Sequence, residues 1–197
     1  MHRQKQWVFN LFSILVLSLL TTTAAAQAVP RTDKSYSVKL DLVFGSDSSG
    51  AGRELPGGFS ALRNRLSSEY GYRNFSVLDH QESRVSGTGS TEVRGMTQLV
   101  NAATQGDGPT FLEWVTRMGK SDSTETAPLD HFRLGVRVPV RTRAGEGAAT
   151  AVVYEGIGIT VNRMEVPIGQ PQVLGSFRLP DREGTLFIVV RIDDAAM

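Results

Sequence analysis

The stretch His131-Phe132-Arg133-Leu134-Gly135-Val136-Arg137-Val138-Pro139-Val140 (HFRLGVRVPV) alternates apolar and other residues without a break. An extended chain sends successive side chains to opposite faces, so Phe132, Leu134, Val136, Val138 and Val140 share one side. This is the signature of a strand with one buried face. With those residues inward, His131, Arg133, Arg137 and Arg141 share the outer face, with Arg143 just beyond. Side chains two positions apart on one strand face lie roughly 7 Å apart, close enough for a row of arginines to engage one anionic surface. The plainer alternative is that acids on neighbouring strands, such as Glu155 or Glu165, neutralise the row as ordinary surface pairs. Pro139 has no N–H to give to a ladder, which predicts an edge strand or a bulge there. An edge strand also accepts another chain by strand addition.

The residues that follow continue the β reading. Residues 149–154 and 157–161 read as two short strands joined near Glu155-Gly156, and 164–168 extend the second past a kink. Gly169-Gln170-Pro171 is a turn, Val173-Leu174 resume a strand, and 180–184 (PDREG) form another turn. Residues 186–192 are almost continuously apolar, which predicts a strand covered on both faces.

Towards the N-terminus, Tyr36, Val38, Leu40 and Leu42 alternate with Ser37, Lys39 and Asp41 as a half-buried strand. A polar loop (45–52, GSDSSGAG) separates it from one helix, in which Phe59, Leu62, Leu66 and Tyr70 fall on a common face. Ser60 is placed to cap that helix and Gly71 to end it. Residues 72–78 read as a strand, 81–97 as a polar hairpin broken at Gly87 and Gly89, and 110–118 as a further strand. Consecutive strands without intervening helices predict antiparallel pairing. The expected fold is α+β: a predominantly antiparallel sheet or sandwich with one main amphipathic helix packed on it.

A different pattern precedes the first strand. Arg3 and Lys5 are followed by an apolar run (7–20) and a small-residue stretch, Ala24-Ala25-Ala26-Gln27-Ala28. Charged, apolar and small segments in that order are those of a secretory signal peptide. The expected organisation is a signal peptide over 1–26, a polar lead-in over 27–34 and a single α+β domain over 35–197, exported to the periplasm or secreted. The alternative is that the leader stays as a membrane anchor, since counting on to Ala26 just reaches spanning length.

Composition narrows the chemistry. The chain has no cysteine, which excludes disulfides, cysteine catalysis and thiolate metal sites. Loss of Arg3 and Lys5 with the leader leaves 19 of the 21 basic residues against 20 acidic ones. Such a domain has no global attraction to nucleic acid or anionic lipid, and it meets a membrane only if the apolar leader is retained. Two histidines remain, and Asp79, His80, Asp130 and His131 form the one acid–base set compatible with a small hydrolase or a metal-dependent enzyme. No recognisable nucleophile motif accompanies them. Residues 45–52 lack the order of a phosphate-binding loop. Trp114, Phe111, Phe132, Phe177 and Phe187 read as core. The sequence therefore favours a non-enzymatic binding or assembly domain without cofactor or metal. It would be an accessory subunit that meets a protein or other envelope component through an edge strand and the face carrying Arg133, Arg137, Arg141 and Arg143.

Overall fold

A computed structural model of the chain describes residues 34–48, 52–97, 99, 108–143, 150–179 and 183–195. The expected signal peptide and most of the lead-in lie outside these residues. The described residues hold nine strands: β1 (Ser35–Ser46), β2 (Arg53–Glu54), β3 (Asn74–Ser86), β4 (Ser90–Thr97), β5 (Thr110–Met118), β6 (Thr126–Arg143), β7 (Thr150–Pro167), β8 (Gln172–Phe177) and β9 (Thr185–Asp194). They form two sheets, in the order β2-β3-β1-β9-β8 and β4-β5-β6-β7. Every strand pair is antiparallel.

The two sheets share one core. Tyr36, Val38, Leu40, Leu42 and Phe44 of β1 and alternate residues of β9 belong to the same buried cluster as Leu112 and Trp114 of β5 and Phe132, Leu134, Val136 and Val138 of β6. The alternation seen in β1 and β6 is thus the inward face of each sheet. Trp114 and Phe132 set their ring centroids 6.3 Å apart between the layers.

β9 is buried on both faces, as its unbroken apolar run requires. Leu186, Ile188 and Val190 point into the sandwich. Phe187 and Val189 point outward into a second cluster with Val43, Phe75, Val77, Phe59, Leu62 and Leu66. The last three come from a 3-10 turn (Gly57–Phe59) and α1 (Ser60–Tyr70), the single α-helix among the described residues. This helix is only 11 residues long. The fold is therefore mostly antiparallel sheet with one short helix, and the main helix of an α+β domain is not what the chain builds. Phe59, not Ser60, takes the cap position, and no side chain caps the helix. Gly71 ends it with φ 78°, in the left-handed region that glycine enters without steric cost.

Three further readings change and one holds. β6 is an inner strand, between β5 and β7. Pro139 is still tolerated there because the β5 ladder stops at Phe111↔Arg137, two residues earlier, so only β7 flanks it. Residues 149–154 and 157–161 belong to one strand of 18 residues, and Glu155-Gly156 pair with Val138 and Arg137 instead of turning. The expected kink is real: Arg163 has φ 53°, the one non-glycine residue with positive φ among those described. Residues 81–97 do not form a hairpin ladder. The chain turns at Gly87–Gly89, with the Gly89 N–H bonded to the Ser86 carbonyl at 2.9 Å. It then leaves the first sheet (β3) for the second (β4).

Candidate functional site: a glycine-floored groove beside an open edge

The outer face of the second sheet follows from the register. Across one row, Val115 of β5, Arg133 of β6 and Thr160 of β7 are neighbours. The next row holds Arg94, Glu113, Gly135 and Gly158, and the next Met96, Phe111, Arg137 and Gly156. Three glycines thus lie together where side chains would otherwise stand. Above them is a groove of about 880 Å³, lined among others by Arg94, Met96, Phe111, Arg133 and Arg137. Its apolar wall is exposed: Met96 is 72% and Phe111 41% accessible. Phe111 reaches over β6 to Tyr154, with ring centroids 5.7 Å apart. Two such aromatics on a solvent-facing sheet are a departure from an otherwise polar outer surface.

The glycines do two different jobs. A Cβ at Gly156 would meet nothing within 4 Å, and one at Gly135 only the Glu113 carbonyl oxygen at 4.0 Å. At Gly158 a Cβ would run into the Leu134 carbonyl oxygen and the Gly135 Cα. Gly158 therefore permits the close approach of β7 to β6, while Gly135 and Gly156 simply leave the floor bare.

The arginines stand where the sequence put them, on the outer face. Arg133 and Arg137 are exposed and flank Gly135. Their register neighbours are Val115 and Thr160 for Arg133, and Phe111 and Gly156 for Arg137. Glu155 and Glu165 pair instead with Val138 and Pro128. The expected neutralisation by these acids is absent, because the strand period turns Glu155 to the other face. Among the described residues neither Arg133 nor Arg137 forms a salt bridge. Glu113, the acid inside the groove, lies 3.5 Å from Arg94, which also holds Glu92 at 2.5 Å. Arg141 lies further along, opposite Val152. Arg143 ends β6 opposite Thr150, and its side chain lies outside the described set.

The edge also moves by one strand. β7 pairs with β6 on one side only and ends the sheet. Beyond β5, β6 and β7 continue as a two-stranded extension on which Val152, Val153 and Tyr154 are all more than 40% accessible.

The acid–base set does not converge. His80 sits on the outer face of the first sheet, its Nδ1 2.7 Å from Oδ1 of the buried Asp41. His131 sits on the outer face of the second sheet, with Nδ1 2.7 Å from Asn162 Oδ1. The two histidines thus face opposite sides of the sandwich. Asp79 accepts the His80 backbone N–H at 2.8 Å, a local bond. Among the described residues no three His, Asp or Glu side chains gather as metal ligands. Around His80 lies a smaller cavity of about 360 Å³ with Lys39, Asp41, Glu82 and Arg191. It is crossed by ion pairs: Lys39 and Arg191 both hold Asp193, at 2.9 and 2.8 Å. Burial alone would raise the Asp193 pKa, but the bonds from Arg191 and Lys39 outweigh it and hold the carboxyl below its ordinary value.

Sequence reasoning found the arginines but not the groove. Gly156 and Gly158 lie two apart, on one face of a strand, and Gly135 shares a face with the arginines. That spacing was the available signal, hidden because Glu155-Gly156 reads as a turn.

No protein-family model matches the chain, and no curated protein does. Among solved structures, the cryo-EM structure of the T2SS secretin XcpQ from Pseudomonas aeruginosa overlaps 92% of this chain at 10% identity, with a TM-score of 0.35. The overlap spans 62% of that chain, less than two thirds of its length. The site is therefore read from its own geometry. Among the described residues no helix is long and apolar enough to cross a membrane.

Proposed function

We propose that this chain is an exported, non-enzymatic binding domain of the cell envelope, an accessory subunit that docks a partner. The docking surface is the arginine-bearing outer face of the second sheet, together with the open edge of β7 beside it. One observation carries the reading: Arg133 and Arg137 flank an open groove, and their cross-strand neighbours are neutral. Two cations that form no salt bridge among the described residues, beside exposed aromatic surface, are the composition of a recognition site, since desolvated Arg and aromatic side chains supply most binding energy at interfaces. The unpaired backbone of β7 adds a way to extend the contact by strand pairing. The charged, apolar and small-residue order of the leader supports export.

The test is co-purification from the envelope fraction. Replacing Arg133, Arg137 and Arg141 together by Ser should abolish recovery of the native partner. The melting temperature should stay nearly unchanged, because exposed substitutions of this kind shift stability by about 0.5 kcal/mol or less. Equal recovery by the variant would remove the proposal. Mass spectrometry of the mature amino terminus tests the address, since an intact Met1 or His2 start would indicate a retained anchor.

A further inference from the structure

We infer that the groove takes one extended segment of a partner protein, in which a large planar side chain is flanked two positions away on each side by carboxylates. The inference rests on the docking role proposed for this face and names what docks there. Arg133, Gly135 and Arg137 occupy successive outward positions of β6. Outward positions of a strand recur about every 7 Å, so the two arginine Cα atoms are separated by roughly 13 Å with a bare peptide between them. A second extended chain laid along β6 has the same period. Its residues i, i+2 and i+4 therefore fall in phase with arginine, glycine and arginine.

The chemistry of each position follows. Over Gly135 and Gly156 no side chain keeps an incoming group off the backbone. Phe111 and Met96 supply an apolar wall on one side of that floor. A flat aromatic side chain fits there and can stack against the guanidinium planes at either end. The end positions call for negative charge, because among the described residues Arg133 and Arg137 form no salt bridge and a guanidinium binds a carboxylate with two parallel hydrogen bonds. Glu113 lies in the middle row of the groove, 3.5 Å from an Arg94 that it shares with Glu92, so the carboxylates belong at the two ends and not in the middle. A polypeptide fits better than a glycan because the recognition spacing is that of a β-strand, and the open edge of β7 lies beside the groove to pair with a continuing segment.

The probe is an end-blocked, fluorescein-labelled heptapeptide, Thr-Asp-Thr-Trp-Thr-Asp-Thr, titrated with the purified chain and followed by anisotropy. Binding should weaken by about tenfold or more when both Asp are replaced by Lys, and likewise when Arg133→Ser and Arg137→Ser are combined, the size expected for losing charge-assisted pairs. At Gly135 a Cβ meets only the Glu113 carbonyl oxygen, at 4.0 Å, so Gly135→Leu should fill the floor and abolish binding while leaving the melting temperature unchanged or higher. Equal affinity for the Asp and Lys peptides, full binding by Gly135→Leu, or no binding of the Asp peptide at about 1 mM would overturn the inference. Binding of an oligogalacturonate with the peptide silent would also overturn it, in favour of a glycan. Envelope co-purification separates the two levels. Loss of partner with the triple arginine variant but not with Gly135→Leu defeats the groove occupant and leaves the docking face standing. Retention with both defeats both.

Discussion

Gly156 and Gly158 sit two residues apart on the same face of the same strand, yet the structure asks different things of them. A strand glycine is intrinsically unfavourable, costing roughly 0.5–1 kcal/mol relative to alanine through lost backbone entropy. At Gly156 nothing opposes a methyl group, so Gly156→Ala should be neutral or slightly stabilising. At Gly158 the methyl would press on the backbone of Leu134 and Gly135, and backbone cannot rotate aside as a side chain can. Gly158→Ala should therefore destabilise by about 1–3 kcal/mol, the usual cost of overpacking. Urea denaturation of the two variants checks this, and equal midpoints would show that β7 does not depend on the close approach. The residue scale also explains why the groove escaped sequence reading while the arginines did not. Arginines in phase at 133, 137 and 141 advertise an outer face, whereas a glycine in the same phase is indistinguishable from a turn until its neighbours are known.

At the level of elements, period-two alternation carried furthest where one face is buried and the other wet. β6 obeys it from Phe132 to Val138, and β1 supplies alternate residues from Tyr36 to Phe44 to the same core, although its outer Asp41 and Val43 are buried as well. β9 was legible for the opposite reason: Leu186 to Val190 are apolar throughout because α1 covers the face that the sandwich does not. What alternation does not encode is which sheet a strand joins. β3 and β4 are adjacent in sequence and separated by a tight turn, yet they belong to different layers, β3 pairing with β1 and β4 with β5. The rank of α1 was misjudged because a helical face of four apolar residues looks the same whether it covers a whole sheet or one corner. Here Leu62 and Leu66 are buried, while Tyr70 is 46% accessible, its ring edge-on to Phe187 with centroids 4.7 Å apart. The helix still matters to the sheet beneath it. Leu66 is 1% accessible among Val43, Phe75, Phe187 and their neighbours, so Leu66→Ala should cost about 2–5 kcal/mol through lost burial and the cavity left behind. Hydrogen exchange should then show α1 and the start of β3 losing protection before β5 and β6. A variant with an unchanged midpoint would mean that the helix lies loosely on the sheet.

For the molecule as a whole, the first sheet divides into two outer halves, one apolar under α1 and one charged. The charged half ties β1 to both its neighbours. Ser37 donates to Glu82 of β3 at 2.6 Å, and Lys39 joins Arg191 on Asp193 of β9. These contacts add to the backbone ladder between the terminal strands β1 and β9, and they make stability depend on acid. The Ser37 hydroxyl lowers the Glu82 pKa, opposed by desolvation and helped by the charges of Lys39, His80 and Arg84. Asp193 is lowered by its two cations despite burial. A carboxyl whose folded pKa is depressed binds fewer protons than in the unfolded chain, so its contribution is complete above the unfolded value and is lost as pH falls through the folded one. The ordinary values are 4.5 for Glu82 and 3.8 for Asp193. The melting temperature should therefore change little on account of these two groups down to about pH 5, then fall steadily below about pH 4.5. Asp193→Asn removes one of the two groups and leaves Lys39 and Arg191 without their acid. It should lower the melting temperature at pH 7 and make the acid limb shallower, so that wild type and variant converge near about pH 2. Parallel acid limbs for the two proteins would show that the Lys39–Asp193–Arg191 contact contributes nothing to the folded state.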